Sequence, residues 1–278
     1  MVRPPDFLAE VRYGARMAAS SGLRVERAGS SGEVVLLTLD RPRVRNAIDD
    51  ALLDALLAAV RDAADDPTVR ALVLAGSGCT FSAGMDLRGR AGFSDDQLSD
   101  QHGRIVELMT ALTELPPPAI AAVEGFCLAG GFELALACDL VVAARDAQFG
   151  LPETRVGILP GGGGARLLTW AVGAPRARDL ILTGRRLTGE EAEAWGLIAR
   201  LSEPGEALRT ALALAAELAL AAPLGLREAK RAVRAAAGSL RDGQSAEDAM
   251  YDVVVRSADR REGFLAFLEK RPPRFEGR

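Results

Sequence analysis

Two glutamates twenty positions apart, Glu133 and Glu153, are the residues of this chain best suited to acid–base chemistry. Glu133 lies in "CLAGGFELALACD" (Cys127 to Asp139), behind Gly130 and Gly131 at the mouth of an apolar helical run. Glycines at a helix N-terminus leave backbone N–H groups pointing outward. Those donors, with the helix dipole, stabilise an oxygen that gains negative charge. An acid placed there either complements the dipole or faces a reacting group. Glu153 follows Pro152 in "FGLPETRVGILPGGGG" and reads either as a surface turn acid or as the second member of a pair. Two carboxylates at one small pocket suit general acid and base work, but spacing alone does not bring them together.

Two glycine-bearing loops accompany them. "CTFSAGMDL" (Cys79 to Leu87) follows a strand, and its Gly84 permits a tight turn; alone it reads as a plain strand-to-helix connection. "LPGGGGARLL" has the outline of a phosphate loop but lacks the Lys-Ser/Thr pair and a preceding strand. Its glycines are expected to let backbone pack closely where the next helix starts.

The elements that must position these residues alternate between strand and helix. "EVVLLTLD" and "VRALVLAGS" read as strands, and Asp49 to Asp66 as a helix with Leu52, Leu53, Leu56, Leu57 and Val60 on one stripe. A further helix is expected over Asp95 to Glu114, stopped by "PPP". Strands "AIAAVEG" and "DLVVAAR" bracket the Glu133 helix, and "AQFG" reads as another short strand. From Gly164 onward the pattern is nearly all helix, with breaks at "SEPGE", Pro223 and Gly238. The body is α/β, the tail helical, and no sequence repeat stands out.

Composition excludes several classes. Nearly half of the 278 residues are apolar, as in an ordinary globular protein, and the formal net charge of −4 offers no general attraction to nucleic acid. The single histidine, His102, argues against imidazole relays and multi-histidine metal sites. Cys79, Cys127 and Cys138 lack zinc spacing and are expected as buried free thiols in a reducing cytosol. No apolar run is long enough to cross a membrane, and "MVRPPDFLAEVRYGARM" has no secretory core. A cytoplasmic location follows as the expectation. Residues 1–22 are expected as a disordered or mis-assigned extension, 23–203 as the core and 204–278 as a helical region.

The chain resembles the enoyl-CoA hydratase/isomerase, or crotonase, superfamily from about Val25 to Phe275. The resemblance is carried by "LDRPRVRNAID", "TFSAGMDL", "AVEGFCLAGGFELALACDLVVAARDAQFGLPETRVGILPGGGG", "LTGRRLTGEEAEAWGLI" and "EGFLAFLEKRPPRF". It implies a spiral of ββα units with C-terminal helices that build trimers, often paired into hexamers. It also implies that the backbone N–H groups of Met85 and Gly130 form an oxyanion hole for an acyl-CoA thioester, and that Glu133 and Glu153 are the two acids of the hydratase branch. The activity implied is reversible syn hydration of a trans-2-enoyl-CoA, as in fatty-acid β-oxidation. Coenzyme A would arrive on the substrate, with no metal or other cofactor, and no nucleic-acid or membrane partner is expected.

By the same resemblance, Arg45 matches a basic position that meets the CoA phosphates. Phe267 and Lys270 match tail positions at the adenine-nucleotide end, often offered by a neighbouring subunit. Ala83 and Asp86, in the loop of Met85, complete the substrate-contact set, although Asp86 also reads as a helix cap. Two departures bear on the acyl group. Ala129 and Phe132 stand where many members have glycine and cysteine, so the phenyl ring is expected to reshape the pocket beside Glu133. "GARLL" replaces the usual Thr-Gln-Arg-Leu. The charged loop Arg88 to Asp100 is expected as a mobile edge of the acyl pocket. Rival readings are a double-bond isomerase, which needs one base, another enolate-forming acyl-CoA enzyme, and a non-catalytic acyl-CoA-binding protein.

Overall fold

A computed structural model describes residues 16–18, 21–236, 251–252 and 255–273. The expected extension before residue 16, the break at Gly238 and the tail beyond Pro273 lie outside them. The described strands are β1 (Arg16–Ala18), β2 (Leu23–Ala28), β3 (Val34–Leu39), β4 (Ala71–Gly76), β5 (Ala119–Val123), β6 (Phe126–Leu128), β7 (Leu140–Ala144), β8 (Gln148–Gly150), β9 (Leu187–Thr188) and β10 (Arg200–Ser202). One sheet runs β1-β2-β3-β4-β5-β7-β10, parallel from β3 onward; β6-β8-β9 make a second, smaller sheet.

Strands buried on both faces carry continuous apolar runs rather than alternation, which is why "VVLLTL" and "AIAAV" occupy the centre of the large sheet. β1 pairs antiparallel with β2, so the sheet takes in Arg16 and Met17, inside the segment 1–22 expected as an extension. Short β6, β9 and β10 also appear where no strand was expected.

Helix α1 (Asp50–Asp65) opens on Asp49, whose side chain accepts the Leu52 N–H at 2.9 Å. It buries the expected leucine stripe, each side chain worth about 1.5–3 kcal/mol. After the short α2 (Leu87–Arg90), α3 (Asp95–Glu114) starts from a capping box of Ser94 and Gln97. These two helices order the segment Arg88 to Asp100 that was expected as an edge loop. Arg104 of α3 ties to Asp50 and Asp54 of α1 at 3.0 and 2.7 Å.

Beyond β6 come α4 (Gly130–Ala137), α5 (Gly164–Val172), α6 (Ala174–Thr183), α7 (Gly189–Ala194), α8 (Ala207–Ala219), α9 (Pro223–Ala236) and α10 (Ala258–Glu269). α8 closes the face of the large sheet opposite α1, its Ala211, Leu212 and Ala215 packing with Val34, Val73, Ile120 and Val142. It therefore belongs to the main core, although the core was expected to end at residue 203. The chain coils as it proceeds: β5 and β7 enter the large sheet, β6 and β8 the small one, and each pass then delivers a helical turn. Glu133 follows the first pass and Glu153 the second.

Candidate active site

The backbone bends sharply where β6 meets α4. Ala129 has φ 51° and ψ −129°, a left-handed conformation costing a residue with a Cβ roughly 1–3 kcal/mol. Its N–H donates to the Gly150 carbonyl at 2.9 Å, and its own carbonyl accepts the N–H groups of Phe132 and Glu133, so both sides hold it. Replacing Ala129 with glycine relieves the strain but adds freedom to the unfolded chain. The expected net result is a gain of about 1 kcal/mol, read by denaturant unfolding.

The loop of Met85 is pressed against this bend. Gly84 has φ 91°, and a Cβ on it would lie 2.7 Å from the Ala129 Cβ and 3.0 Å from the Gly130 nitrogen. The Met85 nitrogen in turn lies 3.6 Å from where a Gly130 side chain would start. Among the described residues, neither the Met85 nor the Gly130 N–H has an acceptor. The two donors implied for an oxyanion hole thus come together, unoccupied by the protein's own carbonyls.

Asn46, which sequence reasoning passed over, fastens this loop. Fully buried, it accepts the Arg41 N–H at 2.9 Å and donates to the carbonyls of Ser77 and Thr80 at 3.0 and 2.7 Å. Ser82 adds a second tie, donating to the Asn46 carbonyl at 2.9 Å and accepting the Gly84 N–H at 3.1 Å. Asp86 caps α2 by accepting the Arg88 N–H at 3.2 Å and sits 3.5 Å from the Arg41 guanidinium, the cap role that was one of its two readings. Asp86→Ala is expected to lower unfolding stability by about 1 kcal/mol in a urea titration.

Glu133 is 4 % exposed in the first turn of α4. Its Oε1 accepts the N–H groups of Gly162 and Gly164 at 2.8 and 2.9 Å. That contact explains the glycine run. A Cβ on Gly162 would reach within 2.7 Å of Glu133 Oε2, and one on Gly164 within 2.8 Å of Oε1. Glu153 begins a 3-10 turn (Glu153–Val156) and is 6 % exposed, so it is no surface turn acid. Its Oε2 has no hydrogen-bond partner. Burial, reinforced by the neighbouring Glu133 carboxylate, pushes the Glu153 carboxyl well above the usual range, against the opposing pull of Arg90. The structure therefore joins the two acids that the sequence left apart.

Other expectations fare differently. Phe132 is 1 % exposed and packs into the core, its ring 5.2 Å from the Phe149 ring. Phe132 thus joins the main core while its neighbour Glu133 faces the glycine run. Arg45 is exposed, its guanidinium 5.5 Å from the Phe126 ring centroid, and its carbonyl accepts the Ala83 N–H at 3.0 Å. Arg186 approaches the same ring at 5.0 Å. Phe267 lies exposed on α10, and Lys270, also exposed, ends that helix. Cys127 and Cys138 are buried, and burial pushes the Cys138 thiol up to about 12; Cys79 is exposed, contrary to expectation.

Around the acids lie three side chains with no signal in the linear sequence. Arg90 is buried and donates to the Tyr251 hydroxyl at 2.6 Å. The Tyr251 ring stacks on His102 at 3.8 Å and meets the space a Gly161 side chain would need. Among the described residues there is no cluster of three or more acids, histidines or cysteines that could hold a metal ion.

Comparison with known proteins identifies the family. The enoyl-CoA hydratase/isomerase family model matches residues 29–278. The chain is 40 % identical to an enoyl-CoA isomerase/hydratase of Zymoseptoria tritici, covering 93 % of this chain and 89 % of the relative. It is 39 % identical to the 2,3-dehydroadipyl-CoA hydratase of Escherichia coli, covering 88 % and 96 %. The crystal structure of carnitinyl-CoA hydratase from Mycobacterium avium superposes with a TM-score of 0.84 at 35 % identity, covering 94 % of this chain and all of that one. The chain belongs to the enoyl-CoA hydratase/isomerase, or crotonase, family.

Proposed function

We propose that this chain adds water, reversibly and syn, across the double bond of a trans-2-enoyl-CoA to give a 3-hydroxyacyl-CoA. The observation that carries the reading is the unequal surroundings of two buried acids. Glu133 has two N–H donors on one oxygen, which suits a carboxylate. Glu153 has an oxygen with no partner and a carboxyl held toward its neutral form. Two adjacent carboxyl groups pushed apart in this way divide into a base and an acid.

The steps follow from those states. The Met85 and Gly130 N–H groups receive the thioester oxygen and stabilise the negative charge that develops on it; one such donor is typically worth roughly 3–4 kcal/mol. Glu133 takes a proton from water as the water oxygen bonds to the β-carbon. Glu153 then gives its proton to the α-carbon as the enolate collapses. Water is the only co-reactant, and coenzyme A arrives and leaves on the acyl group.

Isomerisation would need a single base, so two buried acids at one site favour hydration. The test is the loss of conjugated-thioester absorbance on mixing the protein with crotonyl-CoA and longer enoyl-CoAs. Turnover supports the reading; binding of CoA esters without hydration would favour an isomerase or a non-catalytic binding protein. We further infer work in cytoplasmic acyl-CoA degradation, and assembly as a trimer or hexamer. Trp170 of α5 and Leu182 of α6 are exposed, apolar surface that an oligomer would cover. A light-scattering mass of one subunit would overturn the assembly.

A further inference from the structure

Two buried arginines flank the ring of Phe264, and among the described residues only one of them is paired with an acid. Arg260 and Arg90 are each 4 % exposed, with guanidinium carbons 5.5 and 5.9 Å from the ring centroid. Arg260 pairs with Asp95 at 2.6 Å, and its Nε donates to the Val255 carbonyl at 2.9 Å. Among the described residues Arg90 bonds the Tyr251 hydroxyl and forms no ion pair, and its buried Nε has no acceptor. A buried guanidinium left without an anion is unfavourable, and its planar fork of N–H donors fits a carboxylate. The chain's described acids do not fill that role. Glu153 feels the charge of Arg90 but is the acid that the proposed hydration needs protonated.

The position of Arg90 says where the missing anion belongs. It stands at the end of α2, five residues after Met85, whose N–H would hold the thioester oxygen. Tyr251, whose hydroxyl accepts the Arg90 N–H, lays its ring against the glycine run that grips Glu133. Tyr251 belongs to a buried apolar cluster with Leu98 and Val255, against which Phe93 and Leu159 pack. Methylenes suit that cluster, and Arg90 is the cation beside it.

We propose that Arg90 receives a carboxylate at the far end of the acyl chain, so that the preferred substrates are enoyl-CoA esters of dicarboxylic acids. This rests on the acyl-CoA hydratase reading and deepens it. The neutral alternative is that Arg90 only clamps Tyr251, in which case its loss weakens every substrate alike.

The experiment compares trans-2-enoyl-CoAs of matched length ending in methyl or in carboxylate, across a range of lengths. The wild type is expected to favour one carboxylate-ended length by about 30-fold or more in kcat/KM, and Arg90→Met to abolish that ratio. Arg90→Lys should restore part of it, since a point charge replaces a fork. A wild type that treats both series alike, or an Arg90→Met that lowers both equally, overturns the proposal. If no substrate is hydrated, calorimetric binding of the saturated esters decides the matter separately. Tighter binding of the carboxylate-ended ester, lost in Arg90→Met, upholds the anion site even where hydration fails; equal binding overturns it.

Discussion

Glu133→Gln and Glu153→Gln should each lower kcat on crotonyl-CoA by about 10²–10⁴-fold, the range that one positioned acid or base supplies. Glutamine at 133 still offers an amide oxygen to the Gly162 and Gly164 N–H groups, so the glycine run keeps its anchor and the lost function is proton transfer alone. Because the two acids serve one addition, the double variant should fall little below the worse single one. The assay is the crotonyl-CoA absorbance decay, with circular dichroism to show that each variant is folded. A single variant that keeps a tenth of wild-type turnover would remove its residue from the mechanism.

The same Glu153→Gln change should make the protein more stable at alkaline pH. The folded state holds the Glu153 proton more tightly than the unfolded chain, where the ordinary value is 4.5. Its contribution to stability is therefore full below that value and is lost as pH rises through the raised folded-state pKa. Each unit of pH across this window costs the wild type up to about 1.4 kcal/mol. Glutamine does not titrate, so its urea midpoint should stay flatter than the wild type's as pH rises above the ordinary carboxyl value. The wild type's activity should also fall on the alkaline side as Glu153 loses its proton. Parallel stability profiles for the two proteins would contradict the burial of an acid that resists ionising. The gain in stability with loss of turnover is the trade-off expected at a site held in an unfavourable state.

Long, regular elements were legible in the sequence. The bounds of α3 came out as expected because a run from Asp95 to Glu114 lies between a capping serine and three prolines, and α1 was written in its leucine stripe. β6, β9 and β10 were not legible, since two or three residues are too few to show a period. β2 was hidden for another reason: its burial breaks the alternation that marks a half-buried strand. The acids and glycines of the site were visible as types in a pattern. Their convergence was not, because it depends on contacts such as Gly162 with Glu133 that join separate turns of the fold. Arg90 looked like one more charge in a charged loop. Its burial comes from Tyr251 and Phe264, distant in sequence.

The pairing of β6 with β8 sets a pitch for the chain. Phe126 faces Gln148 and Leu128 faces Gly150, an interval of 22 residues at both points. Glu133 and Glu153, 20 residues apart, thus leave equivalent exits of two successive windings. The site is made by stacking, one winding bringing its acid above the other's. A whole winding inserted between them would part the acids while leaving each in its native turn. A change of length confined to the α4–β7 or β7–β8 links would instead be absorbed without moving either. Length variation among active homologues should therefore avoid whole windings in this interval, a constraint on descent that no single residue records.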